Sequence, residues 1–553
     1  NSDGFSLGID YEGENGSGDD YVSWTFRKAP KFFDIVTWTG DGTTGRSISH
    51  SLNSPVGMII AKKTSGSGQW SVLHRSVAIS GSPAEGLGRL NLTNAFNGYS
   101  SGFNEEFPSS TAFKVSHVAG ASSQTLNTSG ENYVAYLFAH NDGDGEFGPD
   151  ADQDVIKCGS YTGNSNSTGP EINLGFEPQW LMIKRTSNTG GWFVIDTMRG
   201  WTNGSTNDPF LRADSNQQEY ENPYLKPLAT GFQPKTTSSA INFSGDTYIY
   251  MAIRRGPLAE PTSGTDVFAV DQENSSAPYY TSNFPVDMAI RTDSQGQGKF
   301  ISSRITGTED LRTDSTGAQD SSSGTEWDFM DGYRSSAEGN TWYGWMWKRA
   351  RGYFDTVAYS GNGSTQNVSH NLGAVPEMIW IKSRNATEEW KVYHSAIGNN
   401  KELSLSSTAA SGNTSAFNYT TPTSSVFSLG AASPVNDGAY NFIAYLFATV
   451  AGISKVGSYT SNGAQQNIDC GFSNGARFVL VKRTDNTGHW VFFDSARGIT
   501  ANTDPHLRLN NTSAQDTDGN IDIEPYSSGF TVNYGSNNLN NNTGQTYIFY
   551  AIA

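Results

Sequence analysis

At 553 residues the chain exceeds what one hydrophobic core can organise, because single cores stop growing well before that size and longer chains divide into domains. Charged residues make up only 16%, while 25 Tyr, 30 Phe and 13 Trp stand among abundant Gly, Ser, Thr and Asn, a mixture suited to many short strands joined by turns. A formal net charge of −18 opposes a phosphate backbone or an anionic bilayer, and no run approaches the ~18 apolar residues of a membrane span, so neither nucleic acid nor membrane insertion is expected.

Residues 1–30 contain GFSLG and GDDYVSWTFRKA, which match only the closing blocks of the repeat that follows. They are expected to supply two closing strands of a partial module, completed by upstream residues or by another chain, since an isolated strand pair is marginal in water. From Phe33 a first full module, 31–150, reads FFDIVTWTGDG, ISHSLNSPVGMIIAKKT, QWSVLH, RLNL, FKVS and ENYVAYLFAH. A second, 151–257, repeats the order as YTGN, LGFEPQWLMIKRT, GWFVID, FLR, GFQP and DTYIYMAIR. The third, 258–350, is degenerate and carries Phe300 where the others place a Trp. The fourth, 351–451, returns as YFDTVAYSGNG, VSHNLGAVPEMIWIKSR, EWKVYH, ELSL, VFSLG and YNFIAYLFA, and the fifth, 452–553, closes with QTYIFYAIA. Such internal repetition is the signature of a modular array.

Each block reads as a strand. Continuous apolar runs such as 58–61 and 478–481 suit strands covered on both faces, whereas Trp70, Val72 and His74 alternate with Ser71 and Leu73 at period two. About seven short strands per module point to a two-sheet sandwich of jelly-roll or lectin-like type. The predicted fold is therefore all-β: a tandem array of five β-sandwich modules plus a partial N-terminal one. Neighbours are expected to touch mainly at their ends and linkers, as a rod or string.

Candidate functional residues fall into three sets. Trp70, Trp192, Trp390 and Trp490 recur at one place in the repeat and are expected in the core, whereas Trp201, Trp342, Trp345 and Trp380 are not shared by all modules and are the candidates for an exposed ligand-contact surface. Residues 141–154, NDGDGEFGPDADQD, read first as a solvated acidic linker; they also alternate Asp with Gly as a calcium site requires, with Asp142, Asp144 and Asp150 the preferred ligands, although the spacing lacks the closing Glu of an EF-hand. At the end of the fourth block stand His74, Asp196, His394 and Asp494, with Asp196–Arg199 and Asp494–Arg497 expected to be turn-closing ion pairs. No recurring nucleophile with a base and no recurring carboxylate pair is seen, so no enzymatic activity is expected. Cys158 and Cys470 lie far apart at non-equivalent places, which excludes a disulfide framework and suits two small buried apolar side chains.

The pattern YSGNG, H-x-L-G-x-x-P-x-M-I-x-I-K, W-x-V-Y-H and F-I-A-Y-L-F-A, clearest over 359–448, resembles a domain recurrent in tail-fibre and other structural proteins of marine bacteriophages, including cyanophages. The resemblance implies a virion-surface or extracellular protein that attaches to a bacterial surface glycan or receptor, with other virion proteins and a homo-oligomer among its partners. The competing functions are a bacterial extracellular adhesin or carbohydrate-binding array, a purely structural fibre or decoration protein, and a depolymerase whose catalytic part lies elsewhere. No catalytic or ligand residue transfers with the resemblance.

Overall fold

The computed structural model describes residues 4–8, 13, 15–77, 86–98, 101–117, 119, 125–204, 208–256, 258–321, 324–500, 504–517, 521–533, 539–540 and 542–553. The chain is all-β; among the described residues the one α-helix is the single turn Ser433–Asn436, and no helix is long and apolar enough to cross a membrane. Module 1 sets the pattern, with a first strand Phe33–Thr39, second Arg46–Ser49, third Val56–Lys63, fourth Ser71–His74, fifth Gly86–Arg89, sixth Ala112–Val115 and seventh Asn132–Ala139. The first, seventh, third and fourth strands lie in that order in a main sheet, and the second and sixth pair as a small sheet over one of its faces; both arrangements recur in all five modules.

The continuous apolar runs are explained by what covers the other face of each main sheet. In module 2, Leu181 and Ile183 of the third strand, Pro178–Arg185, join an inner core with Phe193 and Phe232. The alternate residues Trp180 and Met182 instead join a cluster with Phe33, Met58 and Leu137 of module 1. Successive strand residues point to opposite faces, so a strand buried on both must be apolar throughout.

Modules 3, 4 and 5 carry this further. Met288, Trp345 and Trp347 of module 3, Met378, Trp380 and Phe447 of module 4, and Phe478, Leu480 and Tyr550 of module 5 form one shared cluster. Their sequence neighbours Ala289 and Met346, Ile379 and Leu446, and Val479 and Phe549 fill three separate sandwich interiors. Across the shared core, Trp345 meets Phe492 edge-on at 5.0 Å between ring centroids and Phe447 meets Tyr550 at 5.0 Å.

Hydrogen bonds close the three modules into a ring. Gln319 N donates to Arg384 O at 2.7 Å, Ser411 N to Thr484 O at 2.9 Å, and Gln515 N to Ser294 O at 2.7 Å, carrying module 3 to 4, 4 to 5 and 5 back to 3. The recurring tryptophans lie at these joints. Trp390 Nε1 donates to Arg312 O of module 3 at 2.9 Å, and Trp490 Nε1 to Ser404 O of module 4 at 2.9 Å. Between modules 1 and 2, Phe96 N bonds Thr186 O at 3.0 Å and Trp192 Nε1 bonds Arg89 O at 2.8 Å. The residues 19–30 continue the parallel, since Trp24 Nε1 reaches Asp196 Oδ2 at 3.0 Å just as Trp345 Nε1 reaches Asp494 Oδ2 at 3.0 Å.

Modules 3, 4 and 5 thus form one three-module unit, and modules 1 and 2 with residues 19–30 repeat part of its packing. The expected string of modules touching at ends and linkers is overturned: neighbours pack sheet against sheet. Short joins enforce this. The bridges Ala29↔Phe33, Ala350↔Phe354 and Val450↔Ser454 close the same tight turn between one module's last strand and the next module's first. Gly352 and Gly452 take positive φ there, at 74° and 76°, a conformation glycine reaches without steric cost and Lys31 adopts at 61°.

Truncating Trp390 removes a fully buried ring together with its bond to the Arg312 carbonyl, so Trp390→Ala is expected to cost about 3–5 kcal/mol. Trp70→Ala, at a half-buried ring with no such neighbour, is expected to cost clearly less. Urea unfolding of the two variants beside the parent measures the difference.

Candidate functional site

A cavity lies where the two halves meet. It encloses about 300 Å³ and is lined by Arg254, Arg349, Arg351, Gln153, His370 and Asn371 among others. Its arginines come from strand ends: Arg254 is the last residue of module 2's seventh strand, Thr247–Arg254, and Arg349 and Arg351 follow module 3's, Trp342–Trp347. The alternation that buries the strands' apolar faces therefore delivers their polar termini to one place.

The floor of the cleft is a buried ionic network. Arg349 grips Glu177 of module 2 through Nη1–Oε1 at 2.8 Å and Nη2–Oε2 at 2.5 Å, and its Nε donates to Asp355 of module 4 at 2.6 Å. Asp287 accepts Arg349 N at 2.7 Å, pairs with Arg255, and lies 3.4 Å from Arg304 Nε. Burial alone would favour the neutral acid of Asp287, yet Arg255, Arg304 and Arg349 together hold its carboxyl below the usual range. Burial lowers Arg304 to about 10, partly offset by Asp287. Three modules are tied here by charges that none could bury alone.

The upper wall offers donors to a visitor. Arg254 donates to the Asp154 carbonyl at 3.3 Å, and burial lowers its pKa. Arg351 pairs with the exposed Asp150 at 2.6 Å. Burial lowers the pKa of His370, whose Nε2 lies 3.1 Å from Thr423 O, and Asn371 spans the halves by donating to Ala229 O at 2.8 Å. Guanidinium forks and amides facing a cleft suit hydroxyl or carboxylate oxygens. The residue signal was present in the sequence, as the basic runs at 254–255 and 348–351 in a chain of net charge −18.

The four tryptophans expected on the surface are buried. Trp201 fills module 2's interior, Trp380 lies in the shared core against Phe447 at 4.8 Å, and Trp345 lies there beneath the Arg497 guanidinium at 5.0 Å. Trp342 is covered by Arg291 at 5.5 Å. Trp345 and Trp380 are interior because neighbouring modules cover the outer faces of their main sheets, whereas Trp201 and Trp342 are buried within their own modules.

The acidic stretch does not gather Asp142, Asp144 and Asp150 around one point, and no cluster of three or more His, Cys, Asp or Glu suited to a metal occurs among the described residues. Asp142 pairs with Lys157 at 3.0 Å, Asp144 Oδ1 accepts Asp142 N at 3.0 Å, and Asp150 turns to Arg351. Asp154 accepts Gly143 N and Gly145 N at 2.9 Å and 3.1 Å. The carboxylates organise a loop against main-chain donors and cations.

The block-four termini act between modules. Asp196–Arg199 and Asp494–Arg497 close their turns at 2.7 and 2.6 Å, and the same carboxylates receive Trp24 and Trp345. His74 Nε2 lies 3.1 Å from Tyr250 O of module 2, and burial lowers its pKa to about 3. Cys158 and Cys470 are free and buried, which pushes both thiols up to about 12. In module 5, burial and then the neighbouring Asp522 raise Asp504 to about 7 against a bond from Thr500 N. The equivalent Asp208 of module 2 has Lys235 at 3.2 Å and is raised only to about 6.

The division into halves has a counterpart in comparison with known proteins. A family model described as a domain of unknown function, DUF7483, matches residues 1–257 and again 294–553. The chain belongs to the DUF7483 family. The first match ends where module 2 ends, and the second covers most of the closed ring, so the two DUF7483 spans correspond to the two structural halves. No curated protein and no solved structure matches the DUF7483 chain.

Two outcomes follow for this DUF7483 protein. Arg349→Ala strands Glu177 and Asp355 and should destabilise the junction by about 3–5 kcal/mol, read by melting and by loosened proteolytic protection around 254–258. For Asp504 the folded-state value lies above the ~3.9 of an unfolded Asp, so its contribution is complete below about pH 4 and is lost as pH rises through about 7. Asp504→Asn should therefore melt closer to the parent at pH 5 than at pH 8, where it should be the more stable of the two; thermal scans at both values check the sign.

Proposed function

We propose that this DUF7483 protein is a virion-associated structural and adhesion protein, a phage tail-fibre or appendage component that contacts a bacterial surface glycan or receptor. What carries the reading is the use made of the repeated positions. The recurring tryptophans, the fourth-strand His and Asp residues and the strand-end arginines are engaged in joining modules, as scaffold rather than reagent. Surface for a partner remains on loops the modules do not share, including exposed Phe243, Met330 and Tyr419, and in the junction cleft. Polar loops on a rigid, strongly anionic framework suit recognition at a cell surface. The resemblance of the repeat to phage fibre domains adds to this.

A purely structural role is the second reading, favoured by the buried Arg349 network, which fixes the two halves relative to each other as a spacer requires. A bacterial adhesin or carbohydrate-binding array would use the same loops on a cell rather than a particle, and antibody-gold labelling of virions and cells separates these.

The decisive experiment measures binding of the labelled full chain to a panel of bacterial cells. Tyr419→Ser, Met330→Ser and Arg351→Ala should weaken binding at least fivefold while stability stays within about 0.5 kcal/mol of the parent, because contact residues need not support the core. Trp390→Ala should lose stability first. Unchanged binding in every surface variant, or lost binding in a Trp390→Ala protein that melts like the parent, would overturn the adhesive reading.

A further inference from the structure

The junction cleft holds polar side chains that the scaffold does not consume. On its floor three guanidiniums, Arg255, Arg304 and Arg349, stand against three carboxylates, Glu177, Asp287 and Asp355, and all six are paired. That network is neutral in itself. Above it, Arg351 gives Nη2 to the exposed Asp150, while its Nη1 is closed to solvent and meets no acceptor among the described residues. Among the same residues the Arg254 guanidinium makes one hydrogen bond, from Nη1 to Asp154 O at 3.3 Å. Asp152, Gln153 and Ser424 line the cleft as well, and their side chains make no hydrogen bond among the described residues. A shielded donor without an acceptor is costly, so an orphan beside a cavity points to an acceptor from outside the chain.

The repeat itself does not require these two arginines. The place of Arg254 at the end of a seventh strand is held by Ala139 in module 1 and by Ala448 in module 4. The place of Arg351 in the tight turn between modules is held by Ala451 in the turn ahead of module 5. Both guanidiniums are nevertheless held. The Arg351 stem lies on Gly373, where a Cβ would stand 2.9 Å from Arg351 Cγ, and the Arg254 guanidinium lies over the Phe176 ring at 5.9 Å. Burial lowers the Arg254 pKa, Asp154 and Asp152 oppose that shift and Arg351 adds to it, so the two guanidiniums act on each other across the cleft. Parallel N–H groups on two fixed guanidiniums match the oxygens of a planar carboxylate.

We infer that the junction cleft binds a pyranose residue bearing a carboxylate, a sugar of the uronic-acid class, with the carboxylate on Arg254 and Arg351 and the ring hydroxyls on Asp152, Gln153 and Ser424. The inference rests on the adhesive reading for the source of such a sugar, an acidic glycan of a bacterial surface, and it names the ligand class of one site. A cavity of about 300 Å³ stands at the small end of ligand pockets and suits one sugar residue. A bare phosphate would engage the guanidiniums but leave Gln153 and Ser424 unmatched and face repulsion from Asp152. A neutral hexose would match those three side chains but give the Arg351 donor no charged acceptor. The acidic sugar satisfies both sets, and Asp152 then accepts from a hydroxyl on the side of the ring away from the carboxylate.

The test is calorimetric titration of the full chain with methyl glucuronide, methyl glucoside and inorganic phosphate. The glucuronide should bind about tenfold more tightly than either of the others, and Arg254→Gln and Arg351→Gln should each weaken it about tenfold, the loss expected for one charged hydrogen bond. Both variants should melt close to the parent. Equal binding of the glucoside, tighter binding of phosphate, or no binding of the glucuronide overturns the inference; these comparisons are made on the parent and stand even where a variant fails to fold. Arginine variants that melt like the parent and bind the glucuronide equally well overturn it too. The same proteins are then assayed on bacterial cells, which separates the two readings. Attachment to cells without glucuronide binding overturns the site and leaves adhesion standing, whereas glucuronide binding without attachment to any cell supports the site and counts against adhesion.

Discussion

Everything in this structure depends on main sheets that are buried on both faces. A sandwich module of this size needs one apolar face to make its own interior; here the opposite face is apolar too, and it can leave water only against another module. Phe478 and Leu480 pointing one way and Val479 and Val481 the other state the condition within four residues. Three such sheets meeting face to face make a core larger than any module's own, and the short joins and ring of main-chain bonds follow from holding them there.

This constraint reassigns the conspicuous side chains. Large aromatics such as Trp345, Trp347 and Trp380 fill a three-sided space that small residues would leave hollow, and their indole groups demand partners where water is excluded. Asp494 meets that demand for Trp345, while Arg497 pairs with the same carboxylate at 2.6 Å. A position with the look of a ligand platform is thereby committed to assembly. Trp, Phe and Met alternate at equivalent sites of the three sheets.

Between the halves the logic changes from apolar to ionic. Strand ends bring arginines and acids to a junction that apolar faces no longer reach, and a bidentate grip such as Arg349 on Glu177 fixes orientation more than it adds stability. The cleft above it lies where the two halves meet, and its donors are the ones the network leaves at its rim.

Repetition, strand content and the two-faced burial of runs such as 58–61 were legible in the sequence, because period-two alternation and its absence are local properties of a strand. So were the turn-closing Asp196–Arg199 and Asp494–Arg497 pairs, which span three residues. What covers a second apolar face is a matter of which distant segment arrives, and no local pattern distinguishes a neighbouring module from a ligand or a partner. For that reason Trp345 and Trp380 read as candidate surface and proved to be interior, as did Trp201 and Trp342 within their own modules, and the acids of 141–154, open to a linker or a calcium reading, are directed onto lysine, arginine and main-chain donors. The sequence by itself determined the strands and their faces; only the tertiary structure decided that modules 3, 4 and 5 close into a ring, since that choice rests on contacts between residues far apart in the chain, such as Trp390 with Arg312 and Trp345 with Asp494.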